Sequence, residues 1–263
     1  AGRIAAEGVS FAKVSEDMHT GVVVEVNAET DFVAKNAKFQ AYVDQVCDQA
    51  LTTSATDIDA FLAEKWNLDE TRTVAEQLSE EISIIGENMH IRRFHKLVEN
   101  EGLVSAYIHA GGRIGVILQV KSDVVNDAVA EMAKNIAMQI AALNPKYTTR
   151  AEVDQEYLAH ETAILTEAAK NEKPNAPEKV LNGMVQGRLN KELKEICLVD
   201  QTYVRAEDGK QTVQQYVDSV AKAQGAKISL VTFVRYETGE GLEKKSEDFA
   251  AEVAAQQAAA KKN

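Results

Sequence analysis

The sequence predicts an α+β fold: a duplicated core of two subdomains, each a three-stranded antiparallel sheet covered by helices, with an inserted helical hairpin and a C-terminal helix. Three observations predict it. A hairpin pattern occurs twice. Each copy is followed by helical periodicity, a glycine stop and one more strand. One half carries a long surplus between its two helices. Hairpins with helices segregated between strands argue against a doubly wound parallel sheet, and two copies mark a duplication rather than a solenoid.

The first hairpin reads EGVSFAKVSEDMHTGVVVEV, Glu7 to Val26, and the second reads EGLVSAYIHAGGRIGVILQV, Glu101 to Val120. Both open on Glu-Gly and a branched apolar residue. The step from Gly8 to Gly21 equals that from Gly102 to Gly115. Each closes on an apolar run, one polar residue and a valine, with Glu25 and Gln119 in the polar slot. Turn-forming residues midway complete the hairpin reading. Helical spacing follows. Residues 30–51 carry Phe39, Tyr42, Val43, Val46 and Ala50; residues 123–143 carry Val125, Val129, Met132, Ile136, Ile140 and Leu143. Later, Val74, Leu78, Ile82 and Ile85 lead to Gly86 and the strand NMHIRRFHKLV. Val213, Val217 and Val220 lead to Gly225 and KISLVTFVRYE. Glycine at those places suits the left-handed residue that ends a helix.

Residues 52–70 join the two helices of the first half, whereas 144–210 join those of the second, too long for a plain loop. The surplus holds EVDQEYLAHETAILTEAAKNE, a KPNAP turn and EKVLNGMVQGRLNKELKEI. Val153, Tyr157, Ile164 and Ala168 supply one seam, and Leu181, Val185, Leu193 and Ile196 another. Together they predict a short antiparallel coiled coil. The tail SEDFAAEVAAQQAAAKKN reads as a final helix. Ser246 is its N-cap, Glu247 and Asp248 fill the first turn, and Lys261 and Lys262 complement the dipole at the end. Alanine favours this helix but gives it little to bury, so it either docks on a partner or frays. The expected boundaries are 1–100 for core subdomain N, 101–150 with 199–240 for core subdomain C, 151–198 for the hairpin and 241–263 for the C-terminal module.

The chain has 263 residues, 45% of them hydrophobic, which is ample for a buried core in one large or two modest domains. A formal net charge of −12 is unlike a uniformly basic nucleic-acid binder and favours a basic or mixed-charge partner. Cys47 and Cys197 form no metal-spaced pair and read as reduced thiols of a cytoplasmic protein. No apolar run approaches the ~18 residues of a membrane span, and no signal peptide is visible. There is no Walker-type loop and no G-x-G-x-x-G; HAGGRIG is glycine-rich but sits in a hairpin rather than before a helix. The histidines His19, His90, His95, His109 and His160 make no H-E-x-x-H, and His90 and His95 face opposite sides of one strand. No metal site, cofactor or covalent chemistry is expected. Asp31 as a hydrolytic carboxylate lacks a second carboxylate or base placed beside it by any motif.

One stretch stands apart: AETDFVAKN, residues 28–36. Thr30 can cap a helix, with Asp31 in its first turn. Phe32 precedes Phe39 by seven residues and hence shares its helical face. Phe32 is then either the first core contact of that helix or a rigid aromatic displayed beside a carboxylate, able to anchor an interface. Spacing does not decide between the two.

TDFVAKN, IGENMHIRR, YIHAGGRIGV, MVQGRLNKELKEICLVDQTYV and SEDFAAEVA occur in that order, and across essentially the whole chain the sequence resembles the bacterial translation elongation factor Ts family. The resemblance implies a guanine nucleotide exchange factor for the GTPase EF-Tu, with a duplicated core, an inserted coiled-coil hairpin and a C-terminal helical module. It implies that Thr30, Asp31, Phe32 and Val33 bind EF-Tu, the phenylalanine entering between histidines near switch II and the magnesium site. GDP and Mg2+ are displaced indirectly. Ile85 and His109 are implied in the same contact cluster. The C-terminal module around Asp248 and Phe249 is implied to touch the nucleotide-binding domain, and subdomain C a second domain of EF-Tu. Contact with nucleic acid or membrane is not implied. The family begins with a small ubiquitin-associated-like domain that also touches EF-Tu. AGRIAAEG resembles the linker after that domain, so reduced affinity and exchange are expected, with the Phe32 site retained. The alternative is a scaffold that binds EF-Tu within a larger assembly without accelerating GDP release.

Overall fold

The computed structural model describes residues 3–244 and 249–260. The first half runs β1 (Glu7–Val14), β2 (Thr20–Ala28), α1 (Asp31–Ala34), α2 (Ala37–Thr52), α3 (Ile58–Ala63), β3 (Lys65–Trp66), β4 (Asp69–Thr73), α4 (Val74–Ile85) and β5 (Met89–Val98). The second runs β6 (Gly102–His109), β7 (Ile114–Ser122), α5 (Asp127–Leu143), α6 (Gln155–Glu172), α7 (Glu178–Ile196), α8 (Val213–Gln224) and β8 (Ile228–Glu237), and α9 (Phe249–Ala260) follows. The fold is α+β with two three-stranded antiparallel sheets, ordered β1-β2-β5 and β6-β7-β8.

The duplication extends to details. Both sheets carry a bulge at the polar slot, between Glu25 and Val26 in one and between Gln119 and Val120 in the other. Thr73 with Glu76 and Thr212 with Gln215 form reciprocal capping boxes at the starts of α4 and α8. Gly86 and Gly225 end those helices in the left-handed conformation, at φ 84° and 61°.

Both central strands are buried on both faces. Val22, Val24 and Val26 pack against Phe39, Tyr42, Val43 and Val46 of α2. Val116, Leu118 and Val120 pack against Met132, Ile136 and Ile140 of α5. The alternate residues Val23 and Ile117 turn the other way, into a cluster with Ala12, Leu97, Val104 and Tyr236. The two sheets are therefore stacked on each other, a second cover that the expectation of helices alone did not include. The run VVVEV carried the sign: a strand buried on both faces reads as continuously apolar rather than alternating.

The repeated glycines mark the closest approach of the halves. A Cβ at Gly21 would lie 2.3 Å from Val104 Cγ1, and one at Gly115 would lie 2.7 Å from the Ser10 carbonyl oxygen. The backbone N–H of Ser10 donates to the Gly112 carbonyl at 2.6 Å, and the N–H of Val104 donates to the Met18 carbonyl at 2.8 Å, the same contact from each half. The polar slots fall on this face. The buried Glu25 carboxylate accepts from Arg93 Nε at 2.6 Å, Arg92 Nη1 at 3.2 Å, Asn27 Nδ2 at 2.9 Å and the Gly239 N–H at 2.8 Å. Gln119 instead donates to Glu99 Oε2 and the Val98 carbonyl. The Arg93 guanidinium lies 4.0 Å from the centre of the Tyr236 ring. Burial pushes the Tyr236 phenol up to about 12, against the opposing pull of Arg93.

Four expectations are corrected. Residues 30–51 are two helices, not one. The link expected over 52–70 holds α3 and the two-stranded ribbon of β3 and β4, and runs on to Thr73. In the hairpin, Ile164 and Ala168 are exposed, while Leu165 packs into the seam and Ala169 is buried: the seam runs from Leu158, two helical turns before Leu165, one position along from the expected one. Val125 and Leu143 flank the core of the second half rather than enter it: the first precedes the Asn126 cap and the second ends α5. Ser246, Glu247, Asp248, Lys261 and Lys262 lie outside the described residues.

Gly115→Ala should destabilise the fold by about 1–3 kcal/mol, because its Cβ meets backbone that yields only if the sheets part. Glu25→Ala should cost about 3–5 kcal/mol by leaving two arginines facing a buried, unpaired gap. Denaturant titration checks both; unchanged midpoints would contradict the stacked arrangement.

Candidate functional site

The AETDFVAKN stretch begins where β2 ends. Thr30 is extended, at φ −125° and ψ 154°, and its Oγ1 accepts the Val33 N–H at 3.3 Å. Asp31 opens α1, where a negative side chain meets the positive end of the helix. Its ion pair with Lys35, at 3.4 Å, is exposed on both sides and contributes little.

The helix stops after four residues. Asn36 returns to extended geometry and its side chain accepts from the N–H groups of Lys38 and Phe39, which starts α2 afresh. Gln40 Nε2 donates to the Ala34 carbonyl at 3.0 Å and satisfies the end of the broken turn. This break separates the two phenylalanines. Phe39 is fully buried, whereas Phe32 is 82% exposed, the most exposed of the large hydrophobic side chains among the described residues. Ala34 is buried and Val33 packs partly against the core, so α1 keeps its inner face and leaves Phe32 outward.

One turn of helix does not hold its shape unaided. Here the Glu87 carboxylate reaches it from the junction of α4 and β5. It accepts from the backbone N–H groups of Glu29 and Thr30, at 3.2 Å each, and from the Thr30 hydroxyl at 2.7 Å. Glu29 answers by accepting the Asn88 N–H at 2.6 Å and pairing with Arg3 at 3.2 Å. A lone exposed apolar side chain is ordinary on a protein surface. An exposed ring on a turn held from two directions is a preorganised one.

The other expected residues gather around the same end to different degrees. Ile85 closes α4 half-buried against the first core, two positions before Glu87, and its neighbour Ile84 is more exposed, at 58%. His109 ends β6 exposed, with its Nδ1 3.0 Å from the Tyr107 hydroxyl. The turn after it, Ala110 and Gly111, lies across a groove of about 620 Å³ from Asp31 and Lys35; Glu7, Arg113 and Lys244 also line it. Thr30, Asp31, Phe32 and Val33 thus form one turn, joined to the end of α4 through Glu87; of the four, Asp31 lines the groove that Ala110 and Gly111 also line. Asp248 is outside the described residues, and Phe249 enters only as the first backbone position of α9.

Sequence reasoning missed Glu87 and Asn36 as structural determinants. Glu87 stood inside the IGEN motif without a role. Asn36, one residue before an apolar-periodic run, is an N-cap signal that predicts the break. Asp31 has an ammonium group beside it, and burial pushes both the Cys47 and Cys197 thiols up. Among the described residues no cluster of three or more His, Cys, Asp or Glu side chains could hold a metal, and no helix is long and apolar enough to cross a membrane.

The model of the family described as Elongation factor TS matches residues 29–240. The chain is 47% identical over 256 residues to Elongation factor Ts of Clostridioides difficile (strain 630), an alignment spanning 97% of this chain and 82% of that relative. It is 46% identical over 255 residues to Elongation factor Ts of Clostridium botulinum (strain Eklund 17B / Type B), with the same two coverages. It is 45% identical over 254 residues to that of Clostridium perfringens (strain SM101 / Type A), again spanning 97% and 82%.

The two phenylalanines should respond oppositely to truncation. Phe32→Ala should leave stability within about 0.5 kcal/mol, while Phe39→Ala should cost about 3–5 kcal/mol. Thermal or denaturant unfolding reads both, and a large loss at Phe32 would return it to the core.

Proposed function

The chain belongs to the elongation factor Ts family, and from that premise we propose that it is a guanine nucleotide exchange factor that binds EF-Tu in the cytoplasm and promotes release of its GDP. It makes and breaks no covalent bond. Thr30, Asp31, Phe32 and Val33 form the working corner, with Phe32 entering near switch II and the magnesium site. Ile85 and His109 extend the contact. Asp248 and Phe249 carry it into the C-terminal module, and core subdomain C holds a second domain of the GTPase. The observation that carries this reading is the solvent exposure of Phe32 on a pinned turn. An aromatic ring of this kind supplies a large, stiff contact area to a partner's pocket.

Exchange requires only that the chain bind nucleotide-free EF-Tu better than the nucleotide-bound form. Phe32 does so if its pocket opens only when the magnesium and phosphate region is distorted. Asp31 then brings a negative charge beside a site built for phosphate and metal. The coupling is reciprocal, so returning nucleotide weakens the hold of this chain in the same proportion. Each ~1.4 kcal/mol of differential binding is tenfold in equilibrium. An anchor worth ~2–4 kcal/mol shifts nucleotide affinity roughly 30-fold or more when most of its contact is differential.

Phe32→Ala should therefore slow release of a fluorescent GDP from EF-Tu roughly 30-fold or more at equal concentration of chain, with the fold intact. Stopped-flow fluorescence measures it. Release as fast as with the unaltered chain would refute the role of the ring. Binding by the unaltered chain with no acceleration at all would favour a scaffold.

A further inference from the structure

The hydrogen bonds at Glu87 form a relay with a direction. The Thr30 hydroxyl donates a hydrogen bond to Glu87 Oε1 at 2.7 Å, which leaves an oxygen lone pair to accept the Val33 N–H at 3.3 Å. Glu87 Oε2 meanwhile holds the N–H groups of Glu29 and Thr30 at 3.2 Å each. The residue thus fixes the last extended residues after β2 and, through one hydroxyl, the first turn of α1. Glu87 itself follows the left-handed Gly86 at the end of α4, so the turn is registered against a helix that Val74, Leu78 and Ile82 pack onto the core.

Resting on the exchange reading above, we propose that Glu87 is a positioning residue for exchange: it acts through Phe32 by fixing the angle at which the ring leaves the surface. With the carboxylate removed, two backbone N–H groups lose an acceptor and the Thr30 hydroxyl turns freely. The packing of Val33 and Ala34 and the Gln40 bond to the Ala34 carbonyl then hold the inner face and the end of the four-residue helix, while its start loses its anchor. The ring explores orientations that must be given up on binding, a cost that preorganisation avoids.

The test measures release of a fluorescent GDP from EF-Tu with the unaltered chain, Phe32→Ala, Glu87→Ala, Glu87→Gln and the double variant Phe32→Ala with Glu87→Ala. Glu87→Ala should slow release about tenfold. Glu87→Gln, which keeps the length and one acceptor oxygen, should fall between it and the unaltered chain. In the double variant, removal of Glu87 should add nothing to the loss from Phe32→Ala, because a positioning residue has nothing left to position. Hydrogen exchange should show the amides of Glu29 and Thr30 opening in Glu87→Ala while those in the middle of β2 stay protected. If Phe32→Ala is slow and Glu87→Ala is fast, the positioning role is overturned and the exchange reading stands. Equal losses from Glu87→Ala with and without Phe32 would also overturn it, since the effect would not pass through the ring. If Phe32→Ala releases GDP at full rate, the role of the ring fails and the positioning role with it, whereas no acceleration by the unaltered chain would refute the exchange reading itself.

Discussion

Two sheets stacked face to face set the terms for everything else in this molecule. The stacking is close enough that Gly21 and Gly115 tolerate no Cβ, and it consumes one face of each central strand while helices consume the other. What remains for contact with a partner is the ends of the strands and the outer surfaces of the helices. The Phe32 turn leaves β2 at one such end, and the His109 turn joins β6 to β7 beside the same groove. The buried Glu25 carboxylate also ties the segment after β8 to this core through the Gly239 N–H, so the chain leading toward α9 starts from a fixed point. Loops positioned by a rigid scaffold are where binding residues concentrate in general.

The Phe32 turn shows how little local structure is needed to convert a core-like residue into a displayed one. A continuous helix would have placed Phe32 above Phe39 and buried both. Asn36 prevents this by capping a new helix, and Gln40 closes the old one. The short piece left over is too small to be stable alone, so its order comes from tertiary hydrogen bonds across to Glu87 and Asn88. Rigidity and exposure are then compatible: the backbone is held from behind while the ring faces water.

Much of this was legible in the sequence. The repeated Glu-Gly openings, the equal glycine spacings and the glycine stops at Gly86 and Gly225 gave two matching halves with the right strands, because local turn and cap chemistry dominates there. The stacking of the sheets was written in VVVEV but not read, since periodicity says that both faces are buried without saying by what. The fate of Phe32 stayed open for a related reason. Helical spacing assumes an unbroken helix, and the weight of the Asn36 cap against continuation is settled by packing. Glu87 was invisible because its partners, Glu29 and Thr30, are distant in sequence and two of its three bonds go to backbone groups.

In the proposed mechanism the ring of Phe32 enters EF-Tu at a place available only when the nucleotide and its magnesium are disturbed. Replacing Phe32 with a photoreactive phenylalanine analogue and irradiating the chain with EF-Tu tests this most directly. A crosslink to the GTPase domain that forms in the nucleotide-free complex and is suppressed by GDP with Mg2+ is the predicted result. A crosslink of equal yield with and without nucleotide, or none in a complex that demonstrably forms, would rule that mechanism out.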